Sequence, residues 1–275
     1  MSGLLPQRQT LQHEAMATRF SLTLVHEDPR YARQAAATAF AELDRIEGHL
    51  SRFIATSDVC RLQQLRPGET AVVALDTFRC LTVALELHRQ TAGAFDVTYR
   101  SAPRSLPESR LRLDPRGCTV TVLAEGVEID LGGIGKGFAL DVMADVLRQW
   151  EVDRALLAAS TSTVLAVRPP TDAPGWAVQL GPDRDLQHRT LAHAACSGSG
   201  ISVHGRHIVD PRQHRPAQGS VSSWALAPTG AEADALSTAF MIMSAEEIRR
   251  YCDRHPGVSA YVLALPDDRL LALSG

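Results

Sequence analysis

The chain has 275 residues, of which 45% are hydrophobic and 21% are charged. This balance is typical of a globular protein and excludes a collagen-like or disordered chain, because enough apolar surface is present to offset the loss of chain entropy. The formal net charge is −3, so no positive field draws the protein to nucleic acid or to anionic lipid. No run approaches the roughly 20 consecutive apolar residues that a membrane-spanning helix needs.

The N-terminal segment and the cysteines bear on the cellular compartment. The first 16 residues contain no basic region followed by an apolar run, so we expect no export signal. The five cysteines are far apart and form no CxxC pair, which argues against a disulfide scaffold or a cysteine-type zinc site. We therefore expect a cytoplasmic protein.

Since no clear linker is present, we expect a single domain over residues 1–275, with residues 100–118 as the best candidate for a loop that extends away from it.

The first elements follow from hydrophobic periodicity. Residues 16–25 alternate apolar and polar side chains, which predicts a half-buried strand. Asp28 and Pro29 then supply an N-cap and a first-turn proline for a long helix that continues to about residue 50. The next expected elements are a short helix over residues 57–65, a helix from about residue 76 to a stop before Gly93, and a loop over residues 100–118.

The second half of the chain is richer in strands. An amphipathic helix is expected over residues 137–150. Because strands cluster and helices cluster rather than alternating regularly, the expected class is α+β, with antiparallel-rich mixed sheets flanked by helices. The expected strands are residues 119–123, 126–131, 155–160, 163–168, 176–180, 200–203, 206–209, 220–227, 259–265 and 269–273, and the expected helices are residues 231–243 and 245–254.

The segment with the most chemical information is EIDLGGIGKGFALD, residues 128–141. A predicted strand ends near Asp130, four glycines follow, and a helix begins near Lys136. Glycines let the backbone approach a ligand closely, and the free amides at a helix start favour an anion. The spacing matches neither a Walker A loop nor the GxGxxG motif. The pattern favours phosphate or pyrophosphate binding, and the alternative is a tight strand–helix turn without a ligand.

A second segment, AEADALSTAFMIM, places Asp234 and Thr238 four residues apart on a predicted helix. The two side chains therefore share one helix face. A carboxylate and a hydroxyl in this arrangement are suitable oxygen ligands for a hard divalent cation. The alternative is an acidic residue that faces the helix dipole, together with a core threonine.

Two further segments are weaker on their own. In TAGAFDVT, Phe95 and Asp96 follow a helix end and could pack on a ring and accept a hydrogen bond from it, or simply form a structural turn. In GRHIVDPRQHRP, His207 could take a proton near neutral pH, or be a merely hydrogen-bonded histidine. The histidines around this segment lack the spacing of zinc ligands.

Taken together and in this order, the segments resemble the FAD:protein FMN transferase family, the ApbE-like proteins first named as thiamine-biosynthesis lipoproteins. The similarity covers roughly residues 16–243 and includes MATRFSLTL, LSRFIATSDVCRLQQ, TAGAFDVT, IDLGGIGKGFALD, HIVDPRQHRP and ADALSTAF. The resemblance implies an ApbE-like (T-fold-like) architecture. It also implies a Mg²⁺-dependent enzyme that cleaves the pyrophosphate of FAD, attaches FMN to a threonine of a partner flavoprotein and releases AMP. The implied acceptor carries a Ser/Thr-Gly-Ala-Thr-like site.

The resemblance also assigns roles to individual residues. The implied catalytic residues are His207, as the base for the acceptor hydroxyl, and Lys136, as the cation that holds the diphosphate. The implied metal ligands are the backbone carbonyl of Gly133 and the side chains of Asp234 and Thr238. The implied contacts of FAD are Met16, Phe53, Ala94, Phe95, Asp96, Asp130, Lys136 and Ile208.

The chain departs from the family pattern at several positions. Residues 160–162 read Ser-Thr-Ser where paired glycines are usual, Gln213 and His214 replace Thr-Gly, and Ala17 replaces a glycine. These departures favour an alternative, a non-catalytic flavin-binding carrier or assembly factor. The retained lysine, histidine and candidate metal ligands favour an enzyme, either the transferase or an FAD pyrophosphatase on the same scaffold.

Overall fold

The computed structural model describes residues 6–101, 110–181, 187–200, 209–213, 215–216, 220–264 and 269–273. An eight-stranded antiparallel sheet lies at the centre of this part of the chain. The strands, in chain order, are β1 (Gln7–Ala15), β2 (Thr18–His26), β3 (Thr70–Val72), β4 (Leu111–Asp114), β5 (Thr119–Val122), β6 (Ala155–Ala159), β7 (Thr163–Ala166), β8 (Trp176–Leu180), β9 (Gln187–Leu191), β10 (Ala194–Gly200), β11 (Val209–Asp210), β12 (Arg215–Pro216), β13 (Ser222–Ala227), β14 (Ser259–Ala264) and β15 (Arg269–Ala272). The central sheet has the order β1-β2-β6-β7-β10-β13-β14-β15. Smaller sheets pair β3-β5-β4, β8-β9 and β11-β12.

Helices cover one face of this sheet. They are α1 (Pro29–Leu50), α2 (Asp58–Gln63), α3 (Leu75–Gln90), α4 (Gly135–Gln149), α5 (Gly230–Phe240) and α6 (Ala245–Arg254). The predicted start of α1 is confirmed, because the Asp28 carboxylate accepts hydrogen bonds from the N–H groups of Arg30 and Tyr31. Helix α4 packs between α1 and α5, and α5 lies against β10 and β13.

The sheet separates two hydrophobic cores. On β2, Phe20, Leu22 and Leu24 are fully buried in the core under the helices. Val25 points to the opposite face, where it packs in a smaller core with residues of the β8-β9 hairpin, including Trp176. The molecule is thus layered as helices, central sheet and hairpin. The predicted α+β class with antiparallel sheets flanked by helices is confirmed.

Several local predictions differ from the structure. No strand forms over residues 126–131, because the N–H of Ile129 is bonded to the Gln63 side chain at 2.7 Å and the N–H of Asp130 to the carbonyl of Val97 at 2.8 Å. Strand β1 was not predicted, since this edge strand carries polar side chains on its exposed face. Strand β4 lies inside the predicted loop over residues 100–118 and pairs with β5. Of the predicted strands over residues 200–203 and 206–209, residues 201–203 and 206–208 lie outside the described residues.

Helices α4 and α5 cross with their backbones in contact. An added Cβ at Gly137 would overlap the carbonyl group of Gly230, and one at Gly230 would overlap the carbonyl oxygen of Gly137. From α4, the Asp141 carboxylate accepts hydrogen bonds from the N–H groups of Gly230 (2.7 Å) and Ala231 (2.9 Å). Burial raises the pKa of this carboxyl to about 6, while the two N–H donors act in the opposite direction. The start of α5 is therefore held directly on α4.

Among the described residues, no helix combines the length and the apolar character that crossing a bilayer requires.

We expect Gly137→Ala to destabilise the protein, because the new methyl group cannot fit between α4 and α5 without separating them. Overpacking of this kind costs about 1–3 kcal/mol or more, and urea unfolding monitored by circular dichroism would measure the loss. Gly48→Ala in α1 is the matched control, because an added Cβ there meets nothing within 4 Å. The control should be neutral or stabilising by up to about 1 kcal/mol. Equal stabilities of the two variants would contradict a tight crossing.

Candidate active site

The side chain of Asp234 lies at the start of α4, because α5 crosses α4 there. One carboxylate oxygen, Oδ2, accepts a hydrogen bond from the N–H of Gly137 at 3.1 Å and lies 3.4 Å from Nζ of Lys136. The other, Oδ1, accepts from the hydroxyls of Thr163 and Ser197, both at 3.3 Å. Ile134, the N-cap residue of α4, contributes no capping side chain. A carboxylate from another helix therefore occupies the positive end of the α4 dipole.

The other sequence-predicted metal ligands lie beside Asp234. Thr238 is one turn further along α5, and its hydroxyl is 3.4 Å from the backbone oxygen of Asp234 and 3.4 Å from Oγ of Ser199. An added Cβ at Gly133 would lie 3.2 Å from Oγ1 of Thr238. The structure thus brings Gly133, Asp234 and Thr238 together, although 101 residues separate the first two in the chain (234 − 133).

These residues form an oxygen-rich set rather than a cluster of strong metal ligands. Within the described residues, no group of three or more His, Cys, Asp or Glu side chains could hold a metal ion. The four donors around the Asp234 carboxylate lie at 3.1–3.4 Å, which is longer than the usual 2.7–2.9 Å of charge-assisted hydrogen bonds. One carboxylate with hydroxyl and carbonyl oxygens suits Mg²⁺, which binds few protein ligands and keeps several waters. The chemistry of the donor set therefore fits Mg²⁺.

The glycine turn before α4 is organised by Asp130 and Lys136. Oδ1 of Asp130 accepts a hydrogen bond from the N–H of Gly132 at 2.9 Å, and Nζ of Lys136 donates to the Gly132 carbonyl at 3.0 Å. Two arginines flank the other carboxylate oxygen of Asp130, with Nε of Arg52 at 3.8 Å and Nη1 of Arg100 at 3.9 Å. Three cationic side chains therefore lie at this turn: Lys136 at its backbone, and Arg52 and Arg100 near the carboxylate of Asp130.

A cavity of about 1070 Å³ opens on this turn. Four of the sequence-predicted residues line it: Met16, Phe53, Asp130 and Lys136. The Phe53 ring is 81% exposed, and the guanidinium of Arg52 lies over it at 4.5 Å. This volume lies just above the usual range of about 300–1,000 Å³ for small-molecule sites.

The remaining predicted contacts are placed differently. Ala94 and Phe95 are buried, and the Phe95 ring lies 3.3 Å from the position of an added Cβ at Gly133. The carboxylate of Asp96 accepts hydrogen bonds from the N–H and the hydroxyl of Thr98, and it lies 3.8 Å from the buried guanidinium of Arg110. None of these three lines the cavity.

Both His207 and Ile208 lie outside the described residues, as does His214.

Sequence reasoning marked residues 160–162 only as a departure from the family pattern, and it missed other residues that line the cavity. These are Gln179, Leu180, Gly181, Gly198, Ser199, Gly200, Ser222 and Trp224. Most are small or hydroxylated and come from β-hairpin ends, so no local motif marks them. The only signal was the alternation of β13, which places Ser222 and Trp224 on one face of the sheet.

Strained backbone borders the same cavity. Met16, Ala17 and Ser160 have φ angles of 50°, 55° and 53°, in the left-handed region that favours glycine. Met16 and Ala17 form the two-residue turn between β1 and β2, where both central residues need a positive φ. None of these three residues is glycine, so the chain holds a backbone conformation that favours glycine with larger side chains.

Comparison with known proteins agrees with this fold. The crystal structure of an ApbE protein from Thermotoga maritima has a TM-score of 0.81, with 23% identity over 97% of both chains. The apo flavinyl transferase ApbE from Pseudomonas stutzeri has a TM-score of 0.84, with 20% identity, and the match covers 99% of this chain and 96% of that one. The protein is therefore an α+β protein with the fold of these structures.

The sequence profile of the ApbE family matches residues 16–262, and the chain belongs to the ApbE family. A curated relative, the FAD:protein FMN transferase of Salmonella typhimurium, is 23% identical over 300 residues, which cover 94% of this chain and 85% of the relative. The family resemblance stated from the sequence is confirmed.

We expect Ala17→Gly to stabilise the protein by about 0.5–1 kcal/mol, because glycine removes the steric cost of the left-handed backbone at this position. Thermal or urea unfolding would measure the change. Ala177→Gly on the exposed face of β8 is the control. It should destabilise the protein by about 0.5–1 kcal/mol, because glycine loses more conformational freedom on folding and residue 177 has no left-handed backbone that glycine would relieve. A loss of stability in both variants would contradict strain at the β1–β2 turn.

Proposed function

We propose that the protein is a Mg²⁺-dependent FAD:protein FMN transferase, which cleaves the pyrophosphate of FAD, attaches FMN to a threonine of a partner flavoprotein and releases AMP. The observation that carries this proposal is the position of Asp234, which lies beside Lys136 at the glycine turn before α4, and this turn lines a large cavity through Asp130, Gly132 and Lys136. The names of the curated relatives support the same reaction class.

The electrostatics of the turn explain why a metal ion belongs to the proposal. A helix N-terminus and Lys136 attract the diphosphate of FAD, but the buried carboxylate of Asp234 repels it. An added divalent cation reverses this balance, since it binds the carboxylate and attracts the phosphate oxygens together. We propose that Asp234, Thr238 and the carbonyl of Gly133 hold Mg²⁺, which when bound neutralises charge on the diphosphate.

Other residues of the chain bind and orient FAD in this proposal. Lys136 holds the diphosphate as a point charge, while Met16, Phe53 and Asp130 contact the flavin end of the substrate from the cavity wall. Phe95 supports the glycine turn from behind, because its ring packs on Gly133.

For Ala94 and Asp96 the burial favours the same supporting role. Arg110 and Thr98 engage the Asp96 carboxylate, which holds this segment in place behind the turn. Direct contacts of these residues with FAD stay a prediction.

Transfer to a hydroxyl needs a base beside the attacking oxygen, and such a base is worth roughly 10²–10⁴-fold in rate. On the resemblance we propose His207 for this role and Ile208 as its neighbouring FAD contact. The described residues that follow them are firmly anchored. Arg212 pairs with Asp210 on its own segment and with Glu247 at the start of α6, at 3.2 and 2.9 Å.

The alternatives of a pyrophosphatase or a non-catalytic carrier rest on the altered turns. Ser160 adopts the backbone conformation that a glycine would adopt, and the Ser162 hydroxyl donates to the carbonyl of Ala159, so the β6–β7 turn is well formed. This favours the enzyme over the carrier. Whether FMN passes mainly to water or to a protein depends on the acceptor, for which we propose a flavoprotein with a Ser/Thr-Gly-Ala-Thr-like site.

The five cysteines are unpaired, and Cys80, Cys196 and Cys252 are buried. Free thiols support the expected cytoplasmic location.

The direct test is release of AMP from FAD. We expect purified protein with FAD and Mg²⁺ to produce AMP, faster with an acceptor flavoprotein, and we expect EDTA to stop the reaction. Asp234→Asn should lower the rate by about 100-fold or more at fixed Mg²⁺, because it keeps the side-chain shape but removes the charge that binds the cation.

Asp145→Asn is the control, since this residue lies on the exposed surface of α4, where it pairs with Arg148. Its rate and its Mg²⁺ dependence should equal those of the unaltered protein. Unchanged Mg²⁺ dependence in Asp234→Asn would refute the ligand assignment. Absence of AMP with and without acceptors would refute the enzyme.

A further inference from the structure

Strand β10 presents two serine hydroxyls to α5 at the spacing of the two candidate ligands on that helix. Oγ of Ser197 lies 3.3 Å from Oδ1 of Asp234, and Oγ of Ser199 lies 3.4 Å from Oγ1 of Thr238. Two residues of a strand span about 6.8 Å, and four residues of a helix span about 6.0 Å. The strand and the helix therefore stay in register here, and each candidate ligand faces a hydroxyl of β10.

A second strand adds another hydroxyl beside Ser197. Thr163 on β7 is directly opposite Ser197 across the antiparallel ladder, and the two side-chain oxygens lie 2.9 Å apart. Oγ1 of Thr163 also lies 3.3 Å from Oδ1 of Asp234. Both residues are fully buried, and neither lines the cavity. We call these two side chains the Thr163–Ser197 pair.

The two oxygens of the Asp234 carboxylate are engaged by different elements. Oδ1 faces the Thr163–Ser197 pair on the sheet, whereas Oδ2 faces the N–H of Gly137 and the ammonium group of Lys136 at the start of α4. Contacts on both oxygens fix the plane of the carboxylate. Loss of the contacts on Oδ1 would let the group turn about its Cβ–Cγ bond.

The Thr163–Ser197 pair orients this carboxylate without neutralising it. Hydroxyl groups are neutral donors, so they leave the negative charge of Asp234 in place. The two oxygens of the pair lie closer to each other, at 2.9 Å, than either lies to Oδ1, at 3.3 Å. The pair is therefore a rigid support on the sheet, and the charge stays available to a cation.

We propose that Thr163 and Ser197 are positioning residues, which hold the Asp234 carboxylate in the orientation that binds the divalent cation. This inference rests on the proposed function, in which Asp234, Thr238 and the carbonyl of Gly133 hold Mg²⁺. The pair touches neither the cation nor FAD and acts through Asp234. Hydrogen-bond partners behind a metal ligand commonly control affinity in this way.

Binding of Mn²⁺ to the purified protein tests this inference without turnover, and the electron paramagnetic resonance signal of the free ion measures it. We expect Thr163→Val and Ser197→Ala each to raise the Kd for Mn²⁺ at least about fivefold, because loss of such a partner typically costs about 10–100-fold. Thr163→Ser, which keeps the hydroxyl, should stay within about twofold of the unaltered protein. Since the two substitutions lie on different strands, either one suffices if the other does not fold.

The Mg²⁺ dependence of AMP release supplies a second readout. In Thr163→Val, the Mg²⁺ concentration that gives the half-maximal rate should rise by a similar factor. The rate at saturating Mg²⁺ should recover, because excess cation compensates for a weakened site. A role in stability alone would lower the urea midpoint and leave both the Kd for Mn²⁺ and this Mg²⁺ concentration unchanged.

Thr121→Val is the matched control. Thr70 and Thr121 form a similar hydroxyl pair, 2.8 Å apart, across β3 and β5. This pair lies in the three-stranded sheet, and neither residue lines the cavity. The Kd for Mn²⁺ of Thr121→Val should equal that of the unaltered protein.

The inference would be overturned if the unaltered protein bound no Mn²⁺, if Thr163→Val or Ser197→Ala folded and kept its affinity, or if Thr163→Ser lost as much affinity as Thr163→Val. A protein that binds Mn²⁺ with the help of this pair but releases no AMP from FAD would refute the proposed function and leave the positioning role intact. AMP release with unchanged Mg²⁺ dependence in Thr163→Val and Ser197→Ala would refute the positioning role alone.

Discussion

The candidate site depends on the backbone contact between α4 and α5. Because Gly137 and Gly230 have no side chains, the two helices approach closely enough for Asp234 of α5 to accept a hydrogen bond from the N–H of Gly137. Asp141 of α4 stabilises the same crossing, because its carboxylate accepts hydrogen bonds from the first two N–H groups of α5. A side chain larger than hydrogen at either glycine would separate the helices and move the carboxylate away from the turn that carries Lys136.

In the proposed function, this arrangement places opposite charges at the position of the FAD diphosphate. The N-terminal end of α4 and Lys136 partly compensate the negative charge of the buried Asp234 carboxylate. The contacts are long, since the four donors around the carboxylate lie at 3.1 Å or more. In the proposed function, a cation binds this carboxylate and offsets the repulsion of an incoming diphosphate.

Much of the fold could be predicted from sequence because its signals are local. Asp28 and Pro29 mark the start of α1, and the helical spacing of the hydrophobic residues over 137–150 indicates α4. The prediction of a strand over residues 126–131 was wrong. Two N–H groups of this segment bond to Gln63 and Val97, and hydrophobic periodicity gives no information about such distant partners. Within the site, Asp234 and Thr238 could be found as a helical pair. Their position beside Gly133 and Gly137 could not, because it depends on the crossing of α4 and α5.

The most direct test of the account is a crystal structure with FAD and Mn²⁺, recorded with the anomalous signal of manganese. The account predicts one peak bounded by Asp234, Thr238 and Gly133, with the diphosphate between it and Lys136. A peak elsewhere, or a diphosphate bound away from the start of α4, would contradict the claim that the α4–α5 crossing builds the site.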